Sequence, residues 1–203
     1  RDAEALSYWG WPDEQQSWTW PGNEGKMMDV AVYTRAPAVR LLLNGKMVAE
    51  KNIADSNRFT ARFSIPYQPG ELKAVAIENG KAVAEKMLAT AGPARSIRLT
   101  ADRSVITASR NDLAYIGVDI VDAKGNIVPD AVVPVQFTIT GNGELAGTGN
   151  GNPADMASFK QPHRNTFRGR CLVILRPKGA AGEISLEADA QGLAPGKITV
   201  QTK

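Results

Sequence analysis

All four tryptophans of this 203-residue chain fall within twelve residues, in Tyr8-Trp9-Gly10-Trp11-Pro12 and Ser17-Trp18-Thr19-Trp20-Pro21-Gly22. Trp9 and Trp11, and again Trp18 and Trp20, are two residues apart, so if either pair is extended its indoles project from one face. Asp13, Glu14, Gln15 and Gln16 lie between the pairs. Indole faces stack on sugar rings while carboxylates and amides hydrogen-bond hydroxyls, so Trp9, Trp11, Trp18 and Trp20 carry the chemistry of carbohydrate contact. The same side chains bury very large apolar areas and could instead anchor this end of the chain against something larger. Packing is the preferred reading. It expects Trp18 and Trp20, next to the first clear strand, to be the buried pair, and Trp9 and Trp11 the more exposed one.

Other reactive residue types are sparse. Cys171 is the only cysteine and His163 the only histidine. Cys171 sits in the apolar run Cys171-Leu172-Val173-Ile174-Leu175, which reads as a buried strand with a structural thiol. A single thiol excludes an internal disulfide and any cysteine-based metal site. Gly147-x-Gly149-x-Gly151 has the look of a phosphate-cradling loop, but it lacks the P-loop lysine and a following helix. Asn150, Asn152 and Asp155 offer oxygen ligands at short spacing without the terminal glutamate of an EF-hand loop. Lys160, His163, Arg164, Arg168 and Arg170 form a basic cluster, read as a solvated loop or one docking on an acidic neighbouring domain. No nucleophile–base constellation exists. Catalytic residues, metal ligands and cofactors are therefore all assigned as none.

The length suits two domains of about 100 residues, and 43% hydrophobic residues are ample for two cores. Residues 1–92 carry 11 Lys/Arg against 11 Asp/Glu, and residues 93–203 carry 13 against 10. A net +3 with most of the aromatics in the neutral half is too mild for a nucleic-acid binder. No run of 18 apolar residues exists, so no membrane span is expected. Arg1 is not an initiator methionine and no signal-like apolar region follows, so the sequence reads as a piece excised from a longer protein.

The elements that must position these residues are strands. Helical periodicity is almost absent, and short alternating runs are separated by Gly, Pro, Asn and Asp. Met28–Thr34, Val39–Leu43, Lys46–Lys51, Arg58–Ile65, Glu71–Ile77 and Lys81–Lys86 are predicted strands, with Asn44-Gly45 and Asn79-Gly80 as hairpin turns. Ala91-Gly92-Pro93-Ala94 marks a boundary. Beyond it, strands are predicted at Ser96–Thr100, Tyr115–Val121, Val133–Ile139, Arg170–Arg176, Glu183–Ala188 and Gly196–Thr202, with Gly147–Gly169 as one long loop. The expected fold is all-β: two consecutive immunoglobulin-like antiparallel β-sandwiches, residues 1–92 with the Trp-rich segment and residues 93–203.

Ser17-Trp18-Thr19-Trp20-Pro21-Gly22-Asn23-Glu24-Gly25-Lys26, followed by Asp29–Thr34 and by Val39–Lys46, resembles the region after the catalytic barrel in glycoside hydrolase family 2 enzymes of the β-galactosidase type. The resemblance continues through Pro66–Val75, Ile97–Arg103 and Gly147–Gly151, so it covers nearly the whole chain. It implies a post-barrel sandwich followed by the family's C-terminal immunoglobulin-like domain. Retaining glycosidases of this kind take both carboxylates from the barrel, so Asp13, Glu14 and Glu24 are not expected to be catalytic; Glu24 is expected to cap a turn or pair with Lys26. The implied role is non-catalytic: supporting the catalytic barrel of the same parent chain, itself a glycoside hydrolase, with carbohydrate as a further contact. A periplasmic or extracellular location is expected for that parent. The alternative is a free-standing carbohydrate-binding or adhesin-like module.

Overall fold

The computed structural model describes residues 14–203; Trp9 and Trp11 lie outside them. The chain is nearly all β and divides after Thr90 into two compact units. The first holds β1 (Met27–Tyr33), β2 (Ala38–Leu43), β3 (Lys46–Asn52), β4 (Thr60–Pro66), β5 (Glu71–Glu78) and β6 (Lys81–Ala89). They form a four-stranded sheet in the order β3-β2-β5-β6 and a two-stranded sheet β1-β4, with every pairing antiparallel. Alternation sets the inner faces: β4 buries Ala61, Phe63 and Ile65 and exposes Arg62 and Ser64, while β2 buries Val39, Leu41 and Leu43. The two inner faces meet in one apolar core. Both Asn-Gly pairs are left-handed at each position, with φ 51° and 78° at Asn44-Gly45 and 49° and 75° at Asn79-Gly80. That is the tight turn whose twist matches its strands, and Leu43 pairs with Lys46 and Glu78 with Lys81 as it requires.

The chain before β1 completes this core. Trp18 is 2% exposed and meets the Tyr67 ring edge-on, with centroids 5.1 Å apart. Its indole N–H donates to the Gln68 carbonyl at 3.0 Å, so burial leaves no polar atom of the ring stranded. The Trp18 carbonyl accepts from the Thr90 hydroxyl at 2.7 Å, and the Trp20 N–H donates to the Tyr67 hydroxyl at 3.1 Å. The knot joins the entering chain to the β4–β5 link and to the residue that follows β6. Trp20 is half-buried against the same core. Residues 17–20 belong to no strand, and the two indoles differ in burial.

The second unit holds β7 (Ser96–Ala101), β8 (Val105–Ile106), β9 (Ala114–Val121), β10 (Pro134–Gly141), β11 (Gly143–Gly149), β12 (His163–Asn165), β13 (Arg170–Pro177), β14 (Gly182–Asp189) and β15 (Gly196–Thr202). Sheets β11-β13-β9-β7 and β12-β10-β14-β15-β8 share one core that includes Ile116, Val118, Val173, Leu175, Ile184 and Leu186. The short edge pairing of β8 with β15 is parallel, a departure from the all-antiparallel expectation. A second departure is larger. The expected loop Gly147–Gly169 begins inside β11 and contains β12. Glycine is a poor strand former, yet Gly143 and Gly147 are buried where β11 pairs with β13. Gly143 has a packing reason, because a Cβ there would lie 2.5 Å from a methyl of buried Ile184.

β11 and β12 are edge strands of opposite sheets, and Arg164 ties them together. Only 3% exposed, it donates from Nε and Nη2 to the Thr148 hydroxyl at 3.2 and 3.1 Å, from Nη1 to Asp155 at 3.0 Å and from Nη2 to the Ser158 carbonyl at 2.6 Å. The guanidinium thereby clasps the open side of the sandwich and shapes the chain between the strands. Asp122, also buried, organises the turn that follows β9. Its carboxylate accepts from the N–H groups of Gly92, Lys124 and Asn126 at 2.8 Å and from the Asn126 amide at 3.0 Å. Burial by itself would raise this carboxyl, but those hydrogen bonds override it and hold it down at about 2.

Trp18→Ala is expected to cost about 3–5 kcal/mol, the usual cost of truncating a large core aromatic, and Trp20→Ala clearly less; urea melts of the two variants check the order. Arg164→Ala should cost about 3 kcal/mol, the lower end for breaking a buried pair because Asp155 keeps some solvent, and protease should then cut first within 150–162. Because the folded carboxyl of Asp122 sits below its ordinary 3.8, its contribution is complete above that value and is lost as pH falls through about 2. Acid unfolding of the second unit should accordingly flatten between pH 4 and 2 in Asp122→Asn, read by circular dichroism.

Candidate functional site

In the first unit the two-stranded sheet does not cover the whole inner face of its four-stranded partner. Ala84 and Lys86 of β6 are exposed, although their register places them on the side of the core residues Leu72 and Leu88. A cavity of about 410 Å³ opens there. The alternation of β1 turns Val30 and Val32 inward against Leu41, Leu72, Ala74 and Leu88, which makes an apolar floor. Trp18 and Trp20 form one wall, and Glu14, Asp29, Tyr33, Arg62 and Lys86 stand at the rim. Glu14 accepts a 2.5 Å hydrogen bond from the Tyr33 hydroxyl and lies 3.5 Å from the Arg62 guanidinium. The hydrogen bond to Glu14 raises the Tyr33 phenol above its ordinary value. These three groups therefore satisfy one another, and the phenol is a held donor rather than a base.

The residues singled out in the sequence scatter. Trp18, at 2% exposure, offers no open ring face for stacking, whereas Trp20 keeps part of its surface. Glu24 accepts from the Gly22 N–H at 3.3 Å, a turn cap, while Lys26 donates to the Asn23 amide oxygen at 3.1 Å instead of pairing with Glu24. In the second unit a depression of about 270 Å³ is lined by Gly149, Asn150, Asn152, Asp155 and Arg164. Its oxygens are engaged: the Asn150 amide donates to Asp155 at 2.8 Å, its carbonyl oxygen accepts from the Asn152 N–H, and the Ala157 N–H and Arg164 together lower the Asp155 carboxyl. The basic cluster is split, with Arg164 interior and Lys160, His163, Arg168 and Arg170 exposed. Arg170 leans on Asp119 at 3.5 Å, and Arg168 lies over the Phe167 ring at 5.3 Å. Cys171 is 6% exposed, and burial pushes its thiol up to about 12, which makes it inert. Among the described residues no group of three or more His, Cys, Asp or Glu gathers as a metal site would require.

The cavity was not legible beforehand. Its floor comes from four strands, and its rim joins Glu14 to Tyr33 nineteen positions away. Only the tryptophan content of the entering chain hinted at a place needing large apolar fill.

Residues 97–199 match the glycoside hydrolase family 2 C-terminal domain 5, and residues 25–84 match a domain of unknown function, DUF4982. The β-galactosidase BoGH2A of Bacteroides ovatus is 39% identical over the whole chain, which spans 24% of that protein. A glycosyl hydrolase family 2 member from Bacteroides cellulosilyticus superposes with a TM-score of 0.89 at 37% identity, covering 100% of this chain and 26% of that one. A β-glycosidase from Bacteroides vulgatus does so with a TM-score of 0.87 at 31% identity, covering 93% and 24%. The chain thus spans about a quarter of the length of these relatives. It belongs to glycoside hydrolase family 2, as C-terminal β-sandwich sequence of that family.

Proposed function

We propose that the two sandwiches are a non-catalytic support for the catalytic barrel of a longer glycoside hydrolase of the β-galactosidase type. The observation that carries this reading is the match of the entire chain to only a quarter of a β-galactosidase. The chemistry of the carboxyl groups agrees with it. Retaining hydrolysis needs two carboxyl groups about 5 Å apart, one with a raised pKa. The carboxyls with displaced values here, Asp112, Asp122 and Asp155, are all lowered and each is tied to backbone N–H groups. Glu14, at the rim of the cavity, is engaged by Tyr33 and Arg62. What the fold offers is a scaffold: apolar cores, fixed hairpins and a clasped edge.

A second reading rests on the cavity rim, where Trp20 and the 59% exposed Tyr33 stand among polar groups, as they would in a carbohydrate-binding module. One pair of measurements separates the two. Purified residues 1–203 should leave nitrophenyl galactosides, glucuronides and mannosides uncleaved and show no saturable binding in a glycan screen. A parent enzyme bearing Trp18→Ala should melt lower and lose turnover without a changed pH profile. Turnover by the fragment that disappears with Glu24→Gln would sink the non-catalytic assignment. Glycan binding abolished by Trp20→Ala would replace support by recognition.

A further inference from the structure

The first unit carries the dipeptide Asn-Gly twice, and its two turns are backbone copies of each other. Their φ values are 51° and 78° at Asn44-Gly45 and 49° and 75° at Asn79-Gly80. All four residues are exposed, so water reaches both sites. An asparagine followed by glycine is open to attack on its own side chain, because no Cβ shields the next main-chain nitrogen. Sequence and local backbone therefore make the two sites equally reactive. Their side chains do not.

Asn44 is tied down. Its Nδ2 donates to the Pro69 carbonyl at 3.2 Å, and its Oδ1 accepts from the Glu71 N–H at 2.8 Å. Gly70 closes on the same oxygen so tightly that a Cβ there would overlap it. The Asn44 amide carbon cannot swing onto the Gly45 nitrogen without surrendering both hydrogen bonds. The Asn79 side chain makes no hydrogen bond among the described residues. It sits at the tip of the β5–β6 hairpin, and β6 is an edge strand, exposed on both faces from Lys81 to Met87.

We propose that Asn79 is a self-modifying site, which deamidates through a succinimide to isoaspartate and aspartate and so unpins β6, while Asn44 persists in its cradle. The Gly80 nitrogen gives its proton to hydroxide and bonds to the Asn79 Cγ. The Cγ–Nδ2 bond then breaks, and the amide nitrogen takes a proton from water and leaves as ammonia. A second water opens the imide. Cleavage at Cγ gives aspartate, and cleavage at the main-chain carbonyl carbon gives isoaspartate, with one extra carbon in the backbone. A two-residue turn with both residues left-handed sets the hairpin register, and the extra carbon breaks it, so Glu78 and Lys81 lose their pairing. β6 has no second neighbouring strand to retain it. Lys86 and Leu88 of that strand line the open groove of the unit, so its shape follows the modification. This chemistry stands whether or not the unit supports a barrel.

Ageing the folded 1–203 chain at mildly alkaline pH, with peptide mapping by mass spectrometry, tests it. Asn79 should convert about tenfold faster than Asn44, as expected when two hydrogen bonds must be given up before attack. In urea the two rates should converge. The isoaspartate-bearing fraction, identified by enzymatic methylation, should exchange its β6 amide hydrogens faster than the Asn79→Asp chain. That variant adds the same charge on a backbone of normal length, with an Asp-Gly pair the turn also accepts. Equal rates in the folded chain, conversion of neither site, or a ratio that persists in urea each overturn the proposal. Exchange no faster than in Asn79→Asp overturns the unpinning of β6.

Discussion

A β-sandwich buries its apolar faces only where one sheet lies over the other, and at its open sides something other than a strand must take over. Both units of this chain are organised by that constraint, and each meets it with different chemistry. In the second unit the inner faces are nearly matched in width, with four strands against five. One side chain suffices there: Arg164 bridges the edge strands β11 and β12 and spends its donors on a hydroxyl, a carboxylate and main-chain carbonyls. In the first unit four strands face two, and one guanidinium could not fill the difference. Trp18 fills part of it, with its single N–H discharged onto Gln68. The rest is the cavity.

Burying an arginine is a poor source of net stability, because desolvation consumes most of what its contacts return. What Arg164 achieves is shape. The chain between β11 and β12 has few apolar residues to hold it, and Met156 and Phe159 stay exposed. A multidentate donor at its base converts that stretch from an open loop into a fixed cover for the sandwich edge. Asp122 does comparable work in the turn that follows β9, using main-chain donors in place of a cationic partner. Both devices rely on charged atoms that are fully hydrogen-bonded, the condition under which polar groups survive in an interior.

The distribution of charge bears on function in the same way. A catalytic acid must be held protonated near neutral pH, which takes an apolar pocket or a second carboxylate. The displaced carboxyls here sit in nests of N–H groups that drive them the other way. Such carboxylates are structural pins. The chain matches its longer family relatives over about a quarter of their length, and pins, hairpins and clasped edges are compatible with the supporting role proposed above.

Alternation alone determined most of the strands, because period-two burial is a local property: β2, β4, β13 and β14 fall within two residues of where the apolar residues place them. Both Asn-Gly turns were equally local, since a left-handed pair of residues is a demand on residue type. The motif from Ser17 to Lys26 pointed to the family. The tertiary structure decided what depends on distant partners. Gly143–Gly149 is a strand because β13 lies beside it and Ile184 needs the space a side chain would take. Arg164 reads as one of five cationic residues in a loop until Thr148 and Asp155 close on it. Trp18 and Trp20 look equivalent by spacing, yet Tyr67, Gln68 and Thr90 select the first as the core residue. The cavity exists only because two strands face four, a mismatch in sheet width that no local pattern records.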